Sequence, residues 1–120
     1  MFLNYNMHVV HEPLQAPHAY FVAQAILTNI TYPDALNQPR AIYHSMVRFA
    51  DDCLGNLTAA LKSTEMWKDT LVVVTSDNGG PMYSNNAANN FPLMGYKFTS
   101  FEGGIRVTGA VGGGFIDTAS

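Results

Sequence analysis

Charge is what this sequence has least of. Asp, Glu, Lys and Arg make up only 12% of its 120 residues, about half of the ~25% usual in a soluble domain. A free-standing domain of this length exposes much of its surface and covers it with charged side chains. The composition is instead that of material from the interior of a larger core, and the length leaves room for one domain only. The net charge of −3 comes with no basic cluster, which excludes the footprint of a nucleic-acid binder or a polybasic membrane contact. Cysteine is nearly absent. Cys53 alone excludes an internal disulfide and a cysteine-based zinc cluster. No apolar run approaches the ~18–20 residues of a transmembrane helix. Met1-Phe2-Leu3-Asn4-Tyr5-Asn6 has neither the basic nor the apolar region of a signal peptide.

The most informative stretch runs from Thr70 to Pro81. Thr70–Thr75 (T-L-V-V-V-T) is short, apolar and β-branched, the composition of a strand buried on both faces. It ends in Ser76-Asp77-Asn78-Gly79-Gly80-Pro81, where two glycines and a proline stop any regular element. A carboxylate and an amide thus stand side by side at the C-terminal end of a strand, where ligands bind in open α/β sheets. Both offer oxygen, which suits calcium or magnesium and not zinc. Asp-Asn-Gly-Gly is equally good turn chemistry, and these residues alone leave both readings open.

Upstream, the loose alternation of Leu3, Tyr5, Met7 and Val9 predicts a strand over Phe2–Val10. It runs into His11-Glu12-Pro13-Leu14-Gln15-Ala16-Pro17, a loop with no helical reading before Pro17. His11 therefore lies just past a strand end, as Asp77 does, while His8, His18 and His44 read as structural. Tyr20–Leu27 is compatible with a short helix, followed by turns at Thr31–Asp34 and Asn37–Pro39.

The clearest helix is Arg40–Ser63. Tyr43, Met46, Ala50, Cys53 with Leu54, Leu57 and Leu61 recur every three or four residues as one apolar stripe. Arg48, Asp51, Asp52, Asn56 and Lys62 fall mostly off it. Asp51 and Asp52 point ~100° apart on a helix and do not converge on one ion, so they read as a solvated edge. Cys53, on the stripe, reads as inert core. Strand, loop, helix, strand is the order of an α/β layer protein.

Beyond Pro81, an Asn-rich loop over Ser84–Asn90 offers little to pack by itself. Phe91–Phe98 and Thr99–Gly104 follow, then a predicted strand from Ile105 to about Val111. Lys97 has Tyr96, Phe98 and Phe101 for company. It is either a side chain that reaches out to water or a fixed cation facing an anionic group.

Four ordered pieces resemble the sulfatase family, most closely its arylsulfatase B (N-acetylgalactosamine-4-sulfatase) branch. They are Val10-His11-Glu12-Pro13-Leu14-Gln15 with Pro17, then Gly55-Asn56-Leu57-Thr58-Ala59-Ala60-Leu61-Lys62, then Thr75-Ser76-Asp77-Asn78-Gly79-Gly80. The fourth runs from Asn90-Phe91-Pro92-Leu93 through Gly95-Tyr96-Lys97 to Glu102-Gly103-Gly104-Ile105-Arg106-Val107. Together they cover nearly the whole chain.

The resemblance implies a fragment of an alkaline-phosphatase-like, sulfatase-type α/β fold, with a mostly parallel sheet flanked by helices. It implies calcium held by Asp77 and Asn78, Lys97 on the sulfate and its bridging oxygen, and His11 on the sulfate or delivering a proton to the leaving alcohol. The substrate implied is a sulfate ester, small or carried on carbohydrate. A lysosomal or secreted setting is implied for the parent protein, to which the sequons at Asn29 and Asn56 add a little.

The departures are equally plain. The family nucleophile is made in a Cys-x-Pro-Ser-Arg type motif, whereas Cys53 is followed by Leu54-Gly55-Asn56. The family's first aspartate pair has no counterpart here, which leaves two side-chain ligands for an ion that takes six to eight oxygens. Arg106 matches the family pattern and is given a structural role. Residues 1–120 are thus expected to be an interior segment of a catalytic domain, lacking the nucleophile-bearing part and the C-terminal subdomain, and without turnover alone. Two rivals stand beside this: a phosphate or phosphonate ester hydrolase of the same superfamily, and a truncated non-catalytic protein that binds sulfated glycan.

Overall fold

Helix α1 occupies Gln38–Ser63, with Pro39 in its first turn, where a missing N–H costs nothing. The apolar stripe forms as its spacing predicts. Met46 is only 2% exposed, and Tyr43, Ala50, Cys53, Leu54, Leu57 and Leu61 are half-buried. Arg48, Asp51, Asp52, Asn56 and Lys62 are exposed. Burial pushes the Tyr43 phenol up from its ordinary value. Ser45 is fully buried on the same helix, and its hydroxyl donates to the Ala41 carbonyl at 2.8 Å, so the buried polar group is satisfied.

The computed structural model describes residues 1–22, 38–83 and 87–116. Two compact units divide the chain: Met1–Cys53 with Tyr83–Ala88, and Leu54–Met82 with Asn89–Ser120. The turn expected at Thr31–Asp34, the Asn29 sequon and most of the expected helix over Tyr20–Leu27 lie outside the described residues, while Gln38 and Pro39 of the turn expected at Asn37–Pro39 are instead the first residues of α1.

In the first unit, residues 2–10 form no strand, contrary to the alternation of their side chains. A strand exists by pairing, and the segment pairs with none among the described residues. Phe2 is 92% exposed. Helical structure begins at residue 18, directly after Pro17, whose carbonyl accepts from the Tyr20 N–H at 2.9 Å. The Tyr20 ring meets Phe49 edge-on at 5.4 Å, and its hydroxyl donates to the Asp52 carboxylate at 2.7 Å. That bond holds the Tyr20 phenol above its ordinary value. Ala41, Ser45, Met46, Ala87 and Ala88 are the buried residues of this unit among those described.

In the second unit, α1 stops in a Schellman motif. The Met66 N–H donates to the Leu61 carbonyl at 2.9 Å and the Glu65 N–H to that of Lys62 at 3.2 Å, with Glu65 left-handed at φ 59°. A 3₁₀ turn, Trp67–Asp69, leads into strand β1, Val72–Thr75. A single helical turn, α2, spans Glu102–Ile105 and precedes strand β2, Gly109–Gly112. β1 and β2 pair antiparallel, with Val72 opposite Gly112 and Thr75 opposite Gly109.

Three expectations change here. The strand expected from Ile105 starts at Gly109, because Glu102–Ile105 coils into α2 first. The pair is antiparallel, so the mostly parallel character expected of the sheet is not displayed by it. β1 is also not buried on both faces: Val73 and Val111 are each 62% exposed. A two-stranded ribbon has no layer of its own to cover either face.

Candidate active site

Site geometry begins where β1 ends. The Ser76 hydroxyl donates to the Asn78 carbonyl at 2.8 Å, closing the Ser76–Asn78 turn on itself. The Asn78 amide nitrogen donates to the Gly79 carbonyl at 2.9 Å, leaving Oδ1 as the acceptor end of that side chain. Asn78 is half-buried and Asp77 exposed. Among the described residues the Asp77 carboxylate takes part in no hydrogen bond or ion pair.

Backbone hydrogen bonds set this loop against residues 94–104. The Gly79 N–H donates to the Gly104 carbonyl at 2.9 Å. A Cβ on Gly79 would collide with the Gly103 carbonyl oxygen, so only glycine permits the approach. One step further, the Lys97 N–H reaches the Gly80 carbonyl at 3.4 Å, and the Gly103 N–H donates to Met94 O at 2.7 Å.

Lys97 occupies the second position of a tight turn, Tyr96–Thr99. The Thr99 N–H donates to Tyr96 O at 2.9 Å, while the Thr99 hydroxyl donates to the same carbonyl at 2.7 Å and accepts from Tyr96 N–H at 3.0 Å. Phe98, the third residue, has φ 79°, the left-handed backbone of a type II turn. The Lys97 ammonium lies 5.4 Å from the centre of the Phe98 ring, and the residue is half-buried. Asp77, Asn78 and Lys97 thus belong to one unit, with the Lys97 backbone bonded two residues beyond Asn78.

His11 belongs to the other unit. It is exposed, and its Nδ1 lies 2.9 Å from the Glu12 carbonyl. A carbonyl only accepts, so this bond places a proton on Nδ1. Cys53 is half-buried on α1. Arg106 reaches Glu102 at 3.6 Å across one exposed helical turn, in keeping with a structural role. Asn56 stands exposed on α1.

Asp77 and Asn78 present a carboxylate and an amide oxygen, a donor pair that fits a hard cation such as calcium. No group of three His, Cys, Asp or Glu side chains gathers among the described residues.

One participant has a role that the sequence reading does not assign. Asn90, in the loop expected to pack little, accepts from Gly80 N–H at 2.9 Å and donates to Gly80 O at 2.9 Å and Gly95 O at 3.2 Å. Asn90 is half-buried. An asparagine amide carries both donors and an acceptor and can pair backbone as a strand does. Nothing in composition or periodicity marks which of several asparagines will do so.

The family model for the sulfatases matches residues 2–108. The chain belongs to the sulfatase family. It is 36% identical over 111 residues to mouse arylsulfatase J, covering 92% of this chain and 17% of that protein. It is 39% identical over 69 residues to mouse N-acetylgalactosamine-6-sulfatase, covering 56% of this chain and 13% of that protein. The crystal structure of Ps i-CgsB in complex with k-i-k-neocarrahexaose superposes with a TM-score of 0.71 at 37% identity, covering 86% of this chain and 21% of that one. The α/β fold class read from the sulfatase motifs is borne out by these likenesses. The chain spans about a fifth or less of the length of these relatives.

Proposed function

We propose that these residues form part of the catalytic domain of an arylsulfatase-type sulfate ester hydrolase, with sulfated carbohydrate as substrate. The observation that carries this reading is the fixed pairing of the Asp77-Asn78 loop with the Lys97 turn in a chain of the sulfatase family. Resemblance in the four sequence pieces favours the arylsulfatase B-like branch. The relative crystallised with a carrahexaose supports a carbohydrate substrate.

In this reading Asp77 and Asn78 hold calcium. When bound, the ion supplies Lewis-acid stabilisation of the charge that gathers on the sulfuryl oxygens. The Lys97 ammonium, steadied by its turn, faces the sulfate and its bridging oxygen. A fixed cation there is worth roughly 3–4 kcal/mol in the transition state. As the S–O bond breaks, its electron pair stays on the leaving oxygen, and His11 delivers a proton to it. An imidazolium gives up a ring proton and is left as neutral imidazole, which suits that task. The nucleophile and the remaining oxygen ligands come from outside residues 1–120, and so do the layers that cover β1 and β2. A lysosomal or secreted setting, with glycosylation at Asn29 and Asn56, accompanies this reading.

The test uses a complete sulfatase polypeptide carrying this segment, assayed on an aryl sulfate, an aryl phosphate and a sulfated oligosaccharide. Sulfate turnover is expected to fall about 10²–10³-fold in Lys97→Ala and to depend on calcium through Asp77. Preference for the phosphate ester would instead establish the phosphatase-type rival. The 120-residue chain alone is expected to show no aryl sulfate hydrolysis above background, and turnover would overturn that statement.

A further inference from the structure

We propose that Asn90 is a positioning residue, whose side-chain amide locks the loop bearing Asp77 and Asn78 to the turn bearing Lys97 so that the two move as one body. What those loops bind rests on the sulfate-ester reading above; the lock itself rests on geometry alone.

Asn90 uses its whole amide. Oδ1 accepts from Gly80 N–H at 2.9 Å, and Nδ2 donates to Gly80 O at 2.9 Å and to Gly95 O at 3.2 Å. The first two bonds close a ring on Gly80 like a one-residue strand pairing, and the third reaches the residue that enters the Tyr96–Thr99 turn. The direct bond between the loops, Lys97 N–H to Gly80 O, is 3.4 Å long, beyond the usual 2.7–3.2 Å range. Asn90 therefore carries the tighter connection between them.

The donor pattern also excludes substitutes. A carboxylate in place of the amide would set negative oxygens against the carbonyls of Gly80 and Gly95. Alanine would leave the Gly80 N–H without the acceptor that meets it here. Asn90 itself makes no hydrogen bond to Asp77, Asn78 or Lys97, so its effect on them passes through Gly80 and Gly95. Displacements near 1 Å can cost a site about 10²-fold in rate, which gives such a lock a purpose. Asn89 is the natural control, because among the described residues its Oδ1 accepts only from Phe91 N–H, within its own loop, at 3.0 Å.

The experiment is residue-resolved NMR on the full 120-residue chain, comparing wild type, Asn90→Ala, Asn90→Asp and Asn89→Ala. Amide hydrogen exchange at Gly80 and Lys97 is read first, then the response of Asp77, Asn78 and Lys97 to millimolar calcium chloride. In Asn90→Ala, protection at Gly80 is expected to fall about tenfold. Calcium should still shift Asp77 and Asn78, while the linked response at Lys97 disappears. Asn89→Ala should match wild type. If Asn90→Ala gives no folded spectrum, Asn90→Asp decides, since it keeps the volume and the acceptor but neither donor.

Unchanged protection at Gly80 and Lys97 would overturn the lock. Lost protection with the Lys97 response intact would make Asn90 a purely structural residue and overturn the positioning role. If calcium shifts nothing in wild type, the metal reading fails by itself. The lock then stands or falls on the exchange data and on whether the Lys97 and Asp77 resonances broaden together or separately in the variants.

Discussion

Helix α1 and the pair of loops around Asp77 and Lys97 are held by opposite means. In α1 the order comes from side chains: one face from Tyr43 to Leu61 is wholly or partly buried, and the other face is free to vary. In the loops it comes from backbone. Gly79 stands against Gly103 at a distance no Cβ allows, the Gly104 and Gly80 carbonyls accept from N–H groups across the gap, and the one side chain that joins them among the described residues, the Asn90 amide, pairs with backbone. Asp77 is exposed, and Lys97 is half-buried with its ammonium 5.4 Å from the centre of the Phe98 ring. A site supported this way keeps its position through its backbone.

The sharpest way to break this contrast is to put a methyl group into each region. Gly79→Ala drives a Cβ into the Gly103 carbonyl, an obstacle that is main chain and cannot rotate away. A loss of about 3 kcal/mol is expected, read from the denaturant midpoint of the full chain. In α1 the corresponding injury is the removal of atoms. Met46 is 2% exposed, and Met46→Ala is expected to cost about 2 kcal/mol, the low end for a buried Met truncated in a small core. If Gly79→Ala proved neutral while Met46→Ala unfolded the chain, the loops would not be backbone-locked as described.

The same contrast explains what was legible in the sequence. The α1 stripe could be read directly, because helical burial has a period and Met46, Ala50 and Leu57 obey it. The turn at Ser76–Pro81 could be read from its glycines and proline. Its partner could not, since backbone contact between residues far apart leaves no periodic trace. Only the motif resemblance joined Gly79 to Glu102-Gly103-Gly104. Phe2–Val10 and the doubly buried β1 went astray for a common reason. Their side chains are patterned for neighbours, and among the described residues Val73 and Val111 have no covering layer and residues 2–10 have no paired strand. Asn90 stood at the start of the resembling Asn90-Phe91-Pro92-Leu93 piece, but its role was not legible, because a side chain that imitates backbone looks like any other loop asparagine.

Smaller effects sharpen the comparison further. Glu65 ends α1 in left-handed backbone at φ 59°, where an L side chain costs roughly 1 kcal/mol and glycine does not. Glu65→Gly should stabilise the chain by about that amount in the same denaturation experiment. Gly55 is the converse case: it sits mid-helix, exposed, with nothing within 4 Å of where a Cβ would stand. Gly55→Ala should therefore add roughly 0.5–1 kcal/mol by narrowing the unfolded ensemble. The two positions lie about 15 Å apart along the chain axis, so their gains should add within about 0.5 kcal/mol in the double variant. Gly55→Ala and Gly79→Ala are the same chemical change with opposite expected signs, because one methyl enters open solvent and the other enters a carbonyl. A loss of stability in Gly55→Ala would mean that the outer face of α1 is packed against something, and the side-chain account of that helix would have to be redrawn.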